Sequence, residues 1–128
     1  MIRAQFFFRQ SGQGLLAWDI RRLVELSHNL PVTHIDPADV AELDETHWYA
    51  YGGGSPTCRS ILQHMKLIDE VDLGYPVILD QDGRVMDGMH RICRAVREGI
   101  DKIPAVRFVT NPEPDFVGCD PAELSYDD

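Results

Sequence analysis

The stretch Tyr75-Pro-Val-Ile-Leu-Asp-Gln-Asp-Gly-Arg-Val-Met-Asp-Gly-Met-His-Arg91 limits what this chain can fold into more than any other. Pro76 to Asp80 is a short apolar run, β-branched at Val77 and Ile78, and predicts a buried strand. Gln81-Asp82-Gly83 predicts a tight turn, because Asp-Gly supplies positive φ at low cost. Arg84 to Met86 returns as a second strand, ended by Asp87-Gly88. From Met89 the period changes: Met89, Ile92, Cys93, Val96 and Ile100 fall on one face of a helix. Gly99 closes that helix, and Ile103 to Val109 resumes an extended apolar pattern. The unit reads hairpin, helix, strand, with Gly88, His90 and Arg91 at the helix N-terminus.

That junction can carry chemistry. The first turn of a helix leaves N–H groups without partners and concentrates partial positive charge. A glycine at the entry lets a bulky anion approach the backbone. Arg91 adds a permanently charged fork, and His90 a donor whose charge varies near neutral pH. Two readings stay open: a phosphate cradle, or an ordinary helix capped by Asp87 with His90 and Arg91 solvated. Asp87 has a further option, holding a magnesium ion or orienting His90 beside phosphate.

Gly88-Met-His-Arg-Ile-Cys-Arg-Ala95, between an apolar hairpin and Ile103-Pro-Ala-Val-Arg-Phe108, resembles the ParB/sulfiredoxin superfamily. In partition ParB proteins the matching segment, Gly-Glu-Arg-Arg-x-Arg-Ala, holds the triphosphate of CTP. Gly88, Arg91, Arg94 and Ala95 match it, while Met89 and His90 replace Glu and Arg. In sulfiredoxin the pattern is Gly-Cys-His-Arg, with His and Arg on ATP phosphates. Met89 stands where the nucleophilic Cys belongs, and a thioether cannot become a thiolate, so sulfiredoxin chemistry is not expected. The Asp-Gly-x-His-Arg form also looks like small ParB-related proteins, including free-serine kinases. The match runs from about Val32 to Val109 and speaks to fold more than to reaction.

The resemblance implies a single α/β domain of α+β type, a small mixed sheet with packed helices. Residues 31–110 form this ParB/sulfiredoxin-like domain, 1–30 an N-terminal strand and helix added to it, and 111–128 an acidic tail. It implies a nucleotide, CTP or ATP with Mg2+, bound at Gly88, Met89, His90 and Arg91, with Arg94 assisting from the next turn. The helix before the hairpin supplies polar candidates: Thr57, Arg59, Ser60 and His64. A regulatory nucleotide-binding module is the leading expectation. A nucleotide-dependent small-molecule kinase and a DNA-associated accessory or nuclease-like protein are the alternatives. Asp87 and His90 are the catalytic candidates, although no general base stands out.

The rest of the chain adds detail. Phe6-Phe7-Phe8 predicts a strand packed on the core, or an interface strand. Leu15 to Leu30 predicts an amphipathic helix with Leu16, Ile20, Leu23 and Val24 on one side. Pro31 to Ile35 predicts a strand, and Asp36-Pro37 a capped helical turn through Leu43. Gly52-Gly-Gly54 fits no Walker or dinucleotide pattern and predicts a flexible loop. Ser55-Pro56 predicts a cap and first turn, then a helix burying Cys58, Ile61, Leu62, Met65 and Ile68. Phe116 and Tyr126 are the residues able to pin the tail.

Charge narrows the partners. With 21 acidic against 12 basic residues the net charge is −9, which disfavours direct DNA binding and suits a small phosphorylated ligand at a local cationic patch. No run reaches the roughly 18 apolar residues of a membrane span. Three cysteines, Cys58, Cys93 and Cys119, show no paired spacing, and with no export signal a reduced cytoplasm is expected. Cys58 and Cys93 fall on apolar stripes and are read as packing residues. His28, His34, His47, His64 and His90 show no ligand-like spacing, so the protein alone predicts no metal site. A homodimer is compatible with all of this.

Overall fold

The computed structural model describes residues 6–124; Tyr126, expected to help pin the tail, lies outside the described residues. Two small sheets and three helices form an α+β fold. The hairpin-helix-strand unit lies at its centre. Strands β4 (Val77–Leu79) and β5 (Val85–Asp87) are antiparallel, helix α3 (Met89–Glu98) follows, and β6 (Ile103–Arg107) returns parallel to β4. Strand β3 (Thr33–Ile35) adds to the other side of β6, giving the order β3-β6-β4-β5.

The continuous apolar runs have a direct cause, since this sheet is covered on both faces. Val77, Leu79, Val85, Ile103 and Ala105 pack against Met89, Ile92 and Ala95 of α3. The residues between them, Ile78, Met86 and Val106, join Trp18, Leu23 and Phe108 on the opposite face. Strand alternation thus sorts one run into two cores.

The N-terminal region departs from the expected helix over 15–30. Strand β1 (Phe6–Ser11) turns directly into strand β2 (Gly14–Asp19), and only Ile20–Ser27 is helical, as α1. Pairing with β1 on one edge and with β7 (Phe116–Val117) on the other satisfies the backbone from Leu15 to Asp19. Asp19 then caps α1 by accepting from the Arg21 N–H at 2.9 Å. Tertiary pairing overrides the helical period here. Phe6, Phe7 and Phe8 are half-buried, and Phe6 meets Phe116 edge-on with ring centroids 6.0 Å apart.

A buried carboxylate ties the two sheets together. Asp80, with none of its surface exposed, accepts from the N–H groups of Asp82 (2.8 Å) and Arg84 (2.9 Å), and so shapes the β4–β5 turn. Its other oxygen accepts from Arg9 of β1 at 3.0 Å.

Helix α2 (Cys58–Glu70) differs from expectation at its start and in its facing. Thr57, not Ser55, is the cap: its hydroxyl accepts from the Ser60 N–H at 3.1 Å, and Ser55-Pro56 lies before the helix in a tight turn closed by the Thr57 N–H on the Ser55 carbonyl at 2.8 Å. The apolar stripe points outward. Cys58, Ile61, Leu62 and Met65 are exposed, Ile68 is half-buried, and the one buried residue is His64. The helix packs instead through its polar edge, because His64 and Ser60 find partners on the facing elements. No helix among the described residues is long and apolar enough to cross a membrane.

Candidate functional site

A cleft of about 910 Å³ lies between β1, the loop over residues 46–55, α2 and the β5–α3 junction. Four consecutive residues of that junction, Asp87, Gly88, Met89 and His90, line it. Gly88, not Asp87, occupies the cap position, at φ 112°, and no side chain caps the first turn of α3. The turn therefore meets the cleft without a carboxylate of its own over its amides.

Asp87 is engaged elsewhere. Its carboxylate accepts from Arg91 Nη2 at 3.1 Å, one helical turn on. The mostly buried Arg91 guanidinium folds back over Gly88, so that a Cβ at residue 88 would lie 2.9 Å from Nη2, 3.1 Å from Nε and 3.1 Å from Val77. Positive φ and this close approach each demand glycine. Gly88→Ala is expected to lower the unfolding free energy by about 1–3 kcal/mol, the range for a strained backbone site. Chemical denaturation checks this, and a loss under about 0.5 kcal/mol would show that the junction relaxes freely.

Above the junction sits an aromatic stack. His64 Nδ1 and His90 Nε2 are 2.8 Å apart and share one proton. Their rings meet edge to edge, with centroids 5.1 Å apart and planes inclined by 19°. The indole of Trp48 lies flat across both, at 4.1 Å from His64 and 4.6 Å from His90. Tyr49 closes on the edge of His64 and accepts at its hydroxyl from Ser60 Oγ at 3.0 Å. Trp48 is held from behind: a Cβ on Gly53 would come within 2.0 Å of the Trp48 carbonyl oxygen. Within the glycine run expected as a flexible loop, Gly53 thus serves close packing, whereas Gly54 borders open space.

The stack fixes protonation. A hydrogen bond between two imidazoles needs one bare nitrogen, and burial opposes charge on either ring. Burial first, then repulsion from His64, His47 and Arg91, pushes His90 down to about 4. Burial also lowers His64 and His47 from the usual histidine range. The pair is neutral at pH 7.

The remaining walls are charged. Arg84 reaches Glu45 through both terminal nitrogens and lies 3.6 Å from Glu42, which is buried and accepts from the Val85 N–H. The Glu45 carboxyl is held below, and Arg84 above, its ordinary value, in each case chiefly by their shared hydrogen bonds. Two arginines, Arg9 and Arg84, face the cleft against four carboxylates, Glu42, Glu45, Asp80 and Asp87. The lining is net negative.

Of the residues expected at the site, Gly88, Met89, His90, Ser60 and His64 line the cleft, Met89 mainly as core. Arg91 borders it from behind, committed to Asp87. Arg94 is not there; it donates to the carbonyls of Asp69 and Val71 and to Glu98, tying α3 to the end of α2. Thr57 is spent on capping, and Arg59 is exposed outside the lining. Cys58 is exposed rather than packed, whereas Cys93 is half-buried with its thiol raised by burial. Trp48, Glu42 and Glu45 were not anticipated, and Arg84, expected with Arg91, Arg94 and Arg97 in the cationic patch, is instead paired with Glu45. Trp48-Tyr-Ala-Tyr51 was legible as an aromatic cluster, but nothing in its spacing says that it covers two distant histidines. The chain matches no family model, no curated protein and no solved structure.

Proposed function

We propose that this protein binds a nucleotide, CTP or ATP, as its magnesium complex in the cleft at the α3 N-terminus, as a regulatory module. The observation that carries the reading is the uncapped first turn of α3, opened by Gly88 onto a cleft of nucleotide size. Its amides are free of side-chain caps, and neutral His90 beside them has an Nδ1–H to donate when His64 Nδ1–H donates to its Nε2. Phe8 and Tyr51, ring centroids 6.2 Å apart on the facing wall, offer apolar surface to a base.

The acid excess of the lining then sets the form of the ligand. Four carboxylates repel a bare triphosphate, so the polyanion enters with a divalent cation. Asp87 is the carboxylate placed to meet that cation, and its release of Arg91 frees a guanidinium for the phosphate.

Isothermal titration of ATP, CTP and ADP, each with and without Mg2+, tests the reading. Binding is expected only with the metal, and Asp87→Asn is expected to weaken it tenfold or more while leaving the protein folded. Absence of heat with every nucleotide at millimolar concentration would remove the proposal. Phosphoryl transfer to a small hydroxyl substrate is the second reading, favoured by the neutral imidazole of His90 next to Asp87. Labelled ATP incubated with a panel of hydroxyl amino acids separates transfer from binding alone.

A further inference from the structure

The chain after β6 does not trail away from the body. Up to Gly118 its ties go to the β4–β5 turn and the N-terminal sheet. Gln81 and Asn111 exchange backbone-to-side-chain hydrogen bonds at 2.8 and 2.9 Å. The Pro112 carbonyl accepts from Trp18 Nε1, and the Leu15 carbonyl from the Gly118 N–H, each at 2.8 Å. Past Cys119, which still reaches the Leu15 carbonyl, the chain turns to the loop over residues 46–55. Cys119, Pro121 and Leu124 are half-buried there, while Asp120, Ala122 and Glu123 are exposed. Asp120 caps a short turn over Pro121–Glu123 by accepting from the Ala122 N–H at 3.0 Å. Pro121 rests on Gly52, where a Cβ would lie 3.1 Å from Pro121 Cβ.

Tyr51 and Gly52 line both the cleft and the groove that holds Cys119 and Pro121, so this pair is part of the partition between them. Tyr51 is also the one non-glycine residue with positive φ, 51°, among the described residues. A side chain bearing a Cβ stays in that conformation only where its surroundings impose it. Here they are Gly53, pressed against the Trp48 carbonyl, and Pro121, pressed against Gly52. The outcome is a Tyr51 ring held against Phe8 on the cleft wall.

We propose that Cys119 to Leu124 is a strap that fixes the aromatic wall of the cleft, and that strap docking and cleft occupancy regulate one another. A ligand seated against Phe8 and Tyr51 holds the wall, and with it Gly52 under Pro121. A strap that lifts lets Tyr51 leave its left-handed conformation and Phe8 lose its partner, and the linkage works equally in both directions. The coupling to ligand rests on the cleft being the nucleotide site; the hold on the wall does not.

Two full-length variants, Pro121→Gly and Asp120→Ala, undo the strap by separate means, the first at its contact and the second at its cap. Without ligand, each is expected to speed alkylation of Cys119 by iodoacetamide about threefold or more, with the site located by peptide mass. Each is also expected to raise acrylamide quenching of tryptophan emission. Trp18 is only 3% exposed, so the added quenching reports Trp48 and the wall. In the wild type, millimolar ATP with Mg2+ is expected to slow Cys119 alkylation by about the same factor. Unchanged quenching in both variants overturns the strap, whether or not Cys119 becomes more reactive. Binding heat from Mg2+–ATP with no change at Cys119 overturns the coupling. If the nucleotide gives neither heat nor protection while both variants still raise quenching, the nucleotide reading falls and the strap stands.

Discussion

Asp80→Ala is expected to lower the unfolding free energy by about 2–5 kcal/mol, the range for leaving two turn N–H groups without their acceptor. The loss comes from three places. The N–H groups of Asp82 and Arg84 lose their acceptor inside the β4–β5 turn, at about 1–3 kcal/mol for each one left buried and unmet. The Arg9 contact goes as well, but that guanidinium is partly exposed and regains water, so its share is small. Asp80→Asn keeps one acceptor oxygen and is expected to lose less than half as much. Urea unfolding with an unchanged slope measures both. A loss below about 1 kcal/mol in the alanine variant would mean that the turn holds its shape through Gly83 and the strand pairing alone.

Acidification is expected to cost on the order of 2–3 kcal/mol between about pH 6.5 and pH 4, from the histidine pair. The sign follows from where protons go. His90 in the folded chain titrates at about 4, below the ordinary value of 6.5 that it regains on unfolding. Through that window the unfolded chain binds the proton and the folded chain does not, so this stability is complete above the window, drains away as pH falls through it and is gone below it. His64 and His47 are shifted in the same direction, chiefly by burial, and deepen the loss. A second cost is geometric: two imidazolium rings at 2.8 Å would set N–H against N–H. Urea midpoints at half-unit pH steps measure the loss, and emission from Trp48 in a Trp18→Phe background reports the stack. His90→Gln is expected to flatten the profile. A wild-type profile already flat from pH 7 to 4.5 would show that the rings are solvated.

What could be read in the residues was what local chemistry decides. The hairpin, α3 and β6 follow from Asp82-Gly83, Gly88, Gly99 and a change of period from 2 to 3.6, all within about thirty residues. Strand β2 escaped because its partners are the preceding strand and one far along the chain, while Leu16, Ile20 and Leu23 happen to keep helical spacing. In α2 the period correctly grouped Cys58, Ile61, Leu62 and Met65 but could not say which way the group faces. The side that turned inward holds His64 and Ser60, whose partners His90 and Tyr49 come from other elements. The candidate site was visible at Gly88 and His90 and invisible at Trp48, since stacking across three segments leaves no local spacing. Arg94 matched a motif position yet serves as a strut, because Asp69 and Val71 present carbonyls within its reach.

The sheet that joins Leu16 to Val117 has a kinetic consequence. That pairing closes a loop of about a hundred residues, so it gains nothing from early local structure and forms after the central unit is in place. Until it forms, one edge of β2 offers unpaired amides and carbonyls to any strand that arrives first, including that of a neighbouring chain. During synthesis this open edge lasts until Phe116 and Val117 leave the ribosome, and a neighbouring strand that arrives sooner can take their place.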